Sequence, residues 1–305
     1  MLATAEGLVC HAPAKLNLYF ELIARRDDGY HDVETLMVPV SLYDTVTFHP
    51  LAGDEPAVPE EHGIDFHLQQ FYPRGGLSQQ DIPSDRQNLV VRALELLRQR
   101  SGTEQKGRVT LCKRIPSEAG LGGGSSDAAA ALKLANRGWG LGWSREQLME
   151  LAAELGSDVP FFLSPGAAIG RGRGEQLETL PAAGQICAVV VVPPQGLSTA
   201  AVYRAAHVPA DPKGIRSAVS ALQTGSLRDW REGLHNRLED AARTLSPWID
   251  RVRSAMDAVG CQLHQMTGSG TGCFGLTRHR AEAHRIAASL RARNIGQVFA
   301  VNNVG

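Results

Sequence analysis

Pro116-Ser117-Glu118-Ala119-Gly120-Leu121-Gly122-Gly123-Gly124-Ser125-Ser126-Asp127-Ala128-Ala129-Ala130 sets glycines at 120 and 122–124 ahead of two serines and a run of strong helix formers. Glycine lets several backbone N–H groups converge on one anion, and a helix N-terminus behind them adds partial positive charge. Ser125 and Ser126 can donate to phosphate oxygens or accept a hydrated Mg²⁺. A side chain at Gly123 is expected to stand where backbone must approach the anion. The spacing predicts a strand over Arg108 to Lys113 in front of the loop and a helix from Ser125 to Asn136 behind it. A flexible turn before a capped helix is the plainer alternative. A Walker A loop is excluded, since no lysine follows the glycines, and a dinucleotide fingerprint fails because its third glycine position is Ser125. The His-Arg-Asp and Asp-Phe-Gly set of protein kinases is absent.

Upstream, Leu16, Leu18, Phe20 and Leu22 alternate with Lys15, Asn17, Tyr19 and Glu21, which predicts a strand from Lys15 to Ile23 with one buried face. Lys15 and Asn17 are then expected on the polar side. Strand-like runs follow at Thr35 to Val40 and Thr45 to His49, then a loop-rich excursion over residues 50–84 with one short strand, Ile64 to Leu68. An amphipathic helix is predicted over Asp85 to Arg100. Ser144 with Gln147 forms a capping box for a helix ending at Gly156. Downstream, Ala188 to Val192 is a strand, and a mostly helical stretch runs to Gly260, with one helix starting at Ser246-Pro247. Cys261 to Met266 and Gly272 to Leu276 are two strands joined by a glycine-rich turn. A helix over Arg280 to Arg293 and a strand over Gln297 to Val301 close the chain. That order, β-α-β-β-α-β, is a ferredoxin-like arrangement. The glycine and proline cluster from Gly166 to Pro181 suggests two domains, 1–180 and 181–305, in an α+β fold.

The chain has 305 residues, and Lys+Arg 31 against Asp+Glu 32 gives a formal net charge of -1. That balance offers no general attraction to nucleic acid or to an anionic membrane. No apolar run approaches the roughly 18 residues of a membrane span. The start of the chain carries Glu6 and no basic residue before Cys10, unlike a secretory signal. Five scattered cysteines suggest neither a disulfide framework nor a zinc site, so a reducing cytoplasm is expected.

Three segments together resemble the motifs of the GHMP kinases, in the superfamily's order: Pro13-Ala14-Lys15-Leu16-Asn17-Leu18, the 116–130 loop, and Thr267-Gly268-Ser269-Gly270-Thr271-Gly272-Cys273-Phe274. Further stretches are similar to the branch that acts on a diphosphocytidyl-linked methylerythritol: Asp28-Gly29-Tyr30-His31, Glu34-Thr35-Leu36-Met37, Ser41-Leu42-Tyr43-Asp44, 156–162 and 198–203. The resemblance implies a two-domain fold with an ATP-binding first half, and ATP with Mg²⁺ as phosphoryl donor to a small-molecule hydroxyl. It implies Lys15 and Asp158 as the catalytic pair and Pro116 to Ser126 as the nucleotide loop. Asn17, Tyr30, His31, Thr199, Tyr203, Gly268, Ser269 and Gly270 fall at substrate positions. No residue is expected to be a dedicated metal ligand. Taken alone, Lys15 is a solvated strand lysine and Asp158 a helix cap before Val159-Pro160. A homoserine- or mevalonate-type kinase, and an inactive ligand sensor on the same fold, are the competing readings. The Gly29-Tyr30-His31 block disfavours the first, and the presence of both Lys15 and Asp158 disfavours the second.

Overall fold

The structure, a computed structural model, describes residues 2–4, 7–51, 63–71, 82–181 and 184–304. Most of the expected loop-rich excursion over 50–84 lies outside the described residues. The first half runs β1 (Leu2–Thr4), β2 (Gly7–Arg25), β3 (His31–Leu51), β4 (Ile64–Gln70), α1 (Leu89–Ser101) and β5 (Lys106–Lys113). It continues with α2 (Gly123–Gly138), α3 (Arg145–Leu155), a 3₁₀ turn (Pro160–Leu163), β6 (Ala168–Arg171) and β7 (Gln176–Thr179). The second half begins with β8 (Cys187–Val192), α4 (Thr199–Ala205), α5 (Arg216–Thr224), α6 (Trp230–Gly233) and β9 (His235–Asn236). Then come α7 (Glu239–Leu245), α8 (Pro247–Ala258), β10 (His264–Met266), β11 (Cys273–Thr277), α9 (Arg280–Arg291) and β12 (Gln297–Asn302).

Two sheets result. The first follows the order β1-β2-β3-β5-β4, with the β6–β7 hairpin on β3 and the short β9 parallel to β2. The second is antiparallel in the order β10-β11-β8-β12, which is the ferredoxin-like order expected from the sequence. On one face of the first sheet α1, α2 and α3 bury Leu94, Leu132 and Leu148 against Phe48, Val109 and Leu111. Its other face shares a core with the second sheet: Ala14, Leu16, Leu18 and Val38 pack with Ala188, Val190, Phe274 and Trp230. A third cluster joins Val189 and Val191 of β8 to Ile249, Val252, Ile286 and Leu290.

Three expectations change. The strand β2 is buried on both faces: Lys15 and Asn17 lie against Leu121, Asp158 and Thr267, and Glu21 accepts from Arg237 of the second half. Its alternation also breaks: Asn17 opposes Met37 and Tyr19 opposes Leu36, so Leu18 has no partner on β3. That bulge turns Tyr19 into the core with Leu16 and brings Phe20 to the side of Lys15 and Asn17. The two runs expected at 35–40 and 45–49 are one strand, β3; Ser41 and Leu42 bulge out of register between Val40 and Tyr43, which imitates a break in the pattern. Finally, α1 starts later than the pattern suggests, because the Asn88 side chain accepts from Val90 N–H at 2.9 Å and caps it there.

Candidate active site

Lys15 is almost fully buried on β2, where its backbone N–H donates to Leu121 O at 2.9 Å. Its ammonium hydrogen-bonds Asn17 Oδ1 and lies 3.4 Å from Asp158 Oδ2. The Asn17 amide in turn donates to Thr35 Oγ1 at 2.8 Å, and that hydroxyl donates to Tyr19 O at 2.8 Å. The chain of bonds fixes which end of Asn17 faces the lysine. Asp158 follows α3 and keeps 38% of its side chain exposed. The 3₁₀ turn after it has Val159 at the capping position and no side-chain cap, so the cap reading of Asp158 does not hold.

Gly120 and Gly122 adopt φ of 73° and 69°, which side-chain-bearing residues rarely adopt. A Cβ on Gly120 would stand 2.1 Å from Thr267 O, and one on Gly270 would stand 2.2 Å from Gly120 N. Gly272 N–H donates to Ala119 O at 3.2 Å, and Asn17 N–H donates to Thr267 Oγ1 at 3.0 Å. Backbone therefore meets backbone among all three motifs. The N–H groups of Gly123, Gly124 and Ser125 begin α2 and have no carbonyl one turn back within the helix. They are the donors this loop offers an anion.

Two loop residues behave differently from expectation. A Cβ on Gly123 would press inward on Ile115 Cγ2 at 3.0 Å and Lys113 Nζ at 3.1 Å, whereas one on Gly124 meets nothing within 4 Å. Gly124, not Gly123, has its open side outward. Ser126 is 1% exposed with an unpartnered hydroxyl and does not line the cavity, while Ser125 does. Ala119 and Leu121 turn their side chains into the shared core.

A cavity of about 980 Å³ opens beside the loop. The structure brings Lys15, Asn17, Tyr30, His31, Ser125 and Asp158 to its wall, together with Thr199, Tyr203, Gly268 and Ser269. Gly270 is not on that wall; it packs under Gly120. Thr199 and Ser269 share a hydrogen bond of 3.0 Å across the mouth. The rings of His31 and Tyr203 lie 5.4 Å apart at 36°, and Phe20 meets Tyr203 edge-on. Tyr30 stands apart and is 57% exposed, with the Arg173 guanidinium 5.3 Å from its ring. Burial, with the Arg25 charge, holds His31 below the usual histidine range, so its neutral ring keeps one donor and one acceptor. Sequence reasoning missed Arg25, Arg173 and Arg204, which line the cavity with Lys15 against Asp158, the single carboxylate among its described residues. Their signal was weak: Arg173 sits in the Gly170–Gly174 cluster that reads as a boundary. Such a wall suits a ligand carrying several negative charges.

A glycine loop at a helix N-terminus, the Lys15–Asp158 contact and a βαββαβ second half thus occur together. Residues 88–166 match the model of the GHMP kinases N terminal domain and residues 218–296 that of the GHMP kinases C terminal. The chain is 40% identical over 282 residues to the 4-diphosphocytidyl-2-C-methyl-D-erythritol kinase of Pelotomaculum thermopropionicum, covering 92% of each chain. To that of Heliobacterium modesticaldum it is 38% identical over 296 residues, covering 92% of this chain and 89% of the other. A crystal structure of 4-(cytidine 5'-diphospho)-2C-methyl-D-erythritol kinase superposes with a TM-score of 0.77 at 35% identity, over 98% of this chain and 100% of that one. The chain belongs to the 4-diphosphocytidyl-2-C-methyl-D-erythritol kinase family. Among the described residues no helix is long and apolar enough to cross a membrane, and no group of three or more His, Cys, Asp or Glu could hold a metal ion.

Proposed function

We propose that the protein transfers the γ-phosphoryl group of ATP to the 2-hydroxyl of 4-diphosphocytidyl-2-C-methyl-D-erythritol, using Lys15 and Asp158 as its catalytic pair. The observation that carries this reading is the Lys15–Asp158 contact of 3.4 Å, set between the glycine loop and the cavity that holds His31 and Tyr203. The hydroxyl adds to the γ-phosphorus as its proton passes to Asp158, and ADP departs. Lys15, in contact with that carboxylate, offsets charge on the transferred group. The loose transition state leaves the protein chiefly positioning and charge stabilisation to supply.

The first-turn N–H groups of α2 and the Ser125 hydroxyl fit the phosphates of ATP. Mg²⁺ fits as an ion carried mainly by those phosphates, with the Ser125 hydroxyl and its water shell, since Mg²⁺ at such sites takes few protein ligands. When bound, it neutralises phosphate charge. A neutral His31 offers a donor and an acceptor to the cytosine edge, and Tyr203 offers a stacking face worth about 1–3 kcal/mol. Five unpaired cysteines accord with a reducing cytoplasm.

The test is an ATP-consumption assay with the diphosphocytidyl substrate against homoserine, mevalonate and galactose; turnover of one of the latter in its place overturns the reading. In the same assay Tyr203→Ala is expected to raise KM for the diphosphocytidyl substrate about tenfold or more with kcat little changed, because stacking persists through the reaction. His31→Ala is expected to narrow the preference for cytidine over uridine analogues, and equal use of both bases by the unaltered enzyme would contradict that role.

A further inference from the structure

The Ser41-Leu42-Tyr43-Asp44 motif has no part in the chemistry above, yet Asp44 is fully buried. One of its oxygens accepts from the Arg114 and Ile115 N–H groups, the latter at 2.9 Å, and the other meets the Lys113 ammonium. Lys113 is 3% exposed and donates onward to Asp127 Oδ2 at 2.8 Å. Asp127 lies just past the first turn of α2 and is itself 2% exposed. The cluster therefore grips both ends of the glycine loop: its entry through 113–115 and its exit through Asp127. Its centre lies directly beneath Gly123, where a Cβ would stand 3.1 Å from Lys113 Nζ.

We propose that Asp44, Lys113 and Asp127 are positioning residues that set the shape of the ATP-phosphate cradle, acting as one buried network around the Lys113 ammonium. This rests on the reading of the glycine loop as the ATP site. Removing one member of so buried a network leaves the others without partners, which is costly. Asp44 takes three donors, two of them backbone N–H groups at the loop's entry, and so ties that entry to the ammonium. The charged groups facing Asp127 are Lys113 from β5 and Asp44 from β3; the Ser126 hydroxyl is its neighbour on α2.

The experiment is calorimetric titration of ATP–Mg, and separately of the diphosphocytidyl substrate, into the full chain and into Asp44→Asn, Asp127→Ala and Asp127→Asn, with melting curves alongside. Asparagine at 44 sets an amide NH₂ against one of three donors, so ATP affinity is expected to fall about tenfold or more while the other substrate binds as before. Asp127→Ala takes a partner from the buried Lys113 ammonium and is expected to lose about tenfold in ATP affinity, and Asp127→Asn, which keeps an acceptor, to lose less. A folded Asp44→Asn with unchanged ATP affinity, or with an equal loss for both substrates, overturns the proposal. Should Asp44→Asn not fold, unchanged ATP affinity in Asp127→Ala overturns it instead. Failure of the unaltered protein to bind ATP–Mg at all refutes the ATP reading and is thereby told apart.

Discussion

Asp158→Asn is expected to lower kcat by about 10²–10⁴-fold, the usual range for a general base, with KM for both substrates nearly unchanged. The side chain has no capping bond to lose, because Val159 stands at the start of the 3₁₀ turn and Asp158 is half-exposed opposite Lys15. Its charge and basicity are thus what the amide removes. Steady-state kinetics and a melting curve check both halves of this: a variant as stable as the parent, yet slow. Lys15→Met is expected to show a comparable loss in kcat. The double variant should lose far less than the product of the two, since paired groups act as a unit. Retention of more than about a tenth of kcat by Asp158→Asn would remove it from the proton transfer.

Gly120→Ala is expected to be the most damaging single change in the loop. Its φ of 73° resists a side chain, and the new methyl would stand 2.1 Å from the Thr267 carbonyl oxygen, which is backbone and cannot swing aside. Left-handed strain and overpacking together are expected to cost roughly 3 kcal/mol or more. The third motif would be driven off the second, so ATP and substrate affinity should fall together. Gly124→Ala is the control: a Cβ there meets nothing within 4 Å, and alanine favours a helix interior by roughly 1 kcal/mol over glycine. Denaturant unfolding of the two variants separates the cases, and equal stability would show that the loop yields.

Much of this was legible along the chain. The Ser144 capping box, the Ser246-Pro247 helix start and the β-α-β-β-α-β order are local signals, and they read correctly or within a few residues. The bulge at Leu18 was not legible. Alternation of apolar and polar residues continues unbroken through Lys15 to Leu22, and only pairing with β3 shows that one residue is skipped. The same limit hid the burial of Lys15, Asn17 and Glu21, because the covering elements lie over two hundred residues away in the cases of Arg237 and Gln265. Glu21 accepts from Arg237 at 2.7 and 2.8 Å, a contact that no window of sequence contains. Arg173 and Arg25 were missed for a related reason: isolated arginines gain meaning only once the fold sets them around one cavity.

The core shared between the sheets bears on how the molecule comes apart. Leu16, Val38 and Ile169 of the first half share one apolar cluster with Val190, Ala221 and Phe274 of the second. Neither half can melt and leave the other's surface polar. Heating should therefore give one cooperative transition in calorimetry, with equal calorimetric and van't Hoff enthalpies, where two loosely joined modules would give two. A fragment ending near residue 180 would carry its apolar side uncovered, and self-association is its expected fate in solution.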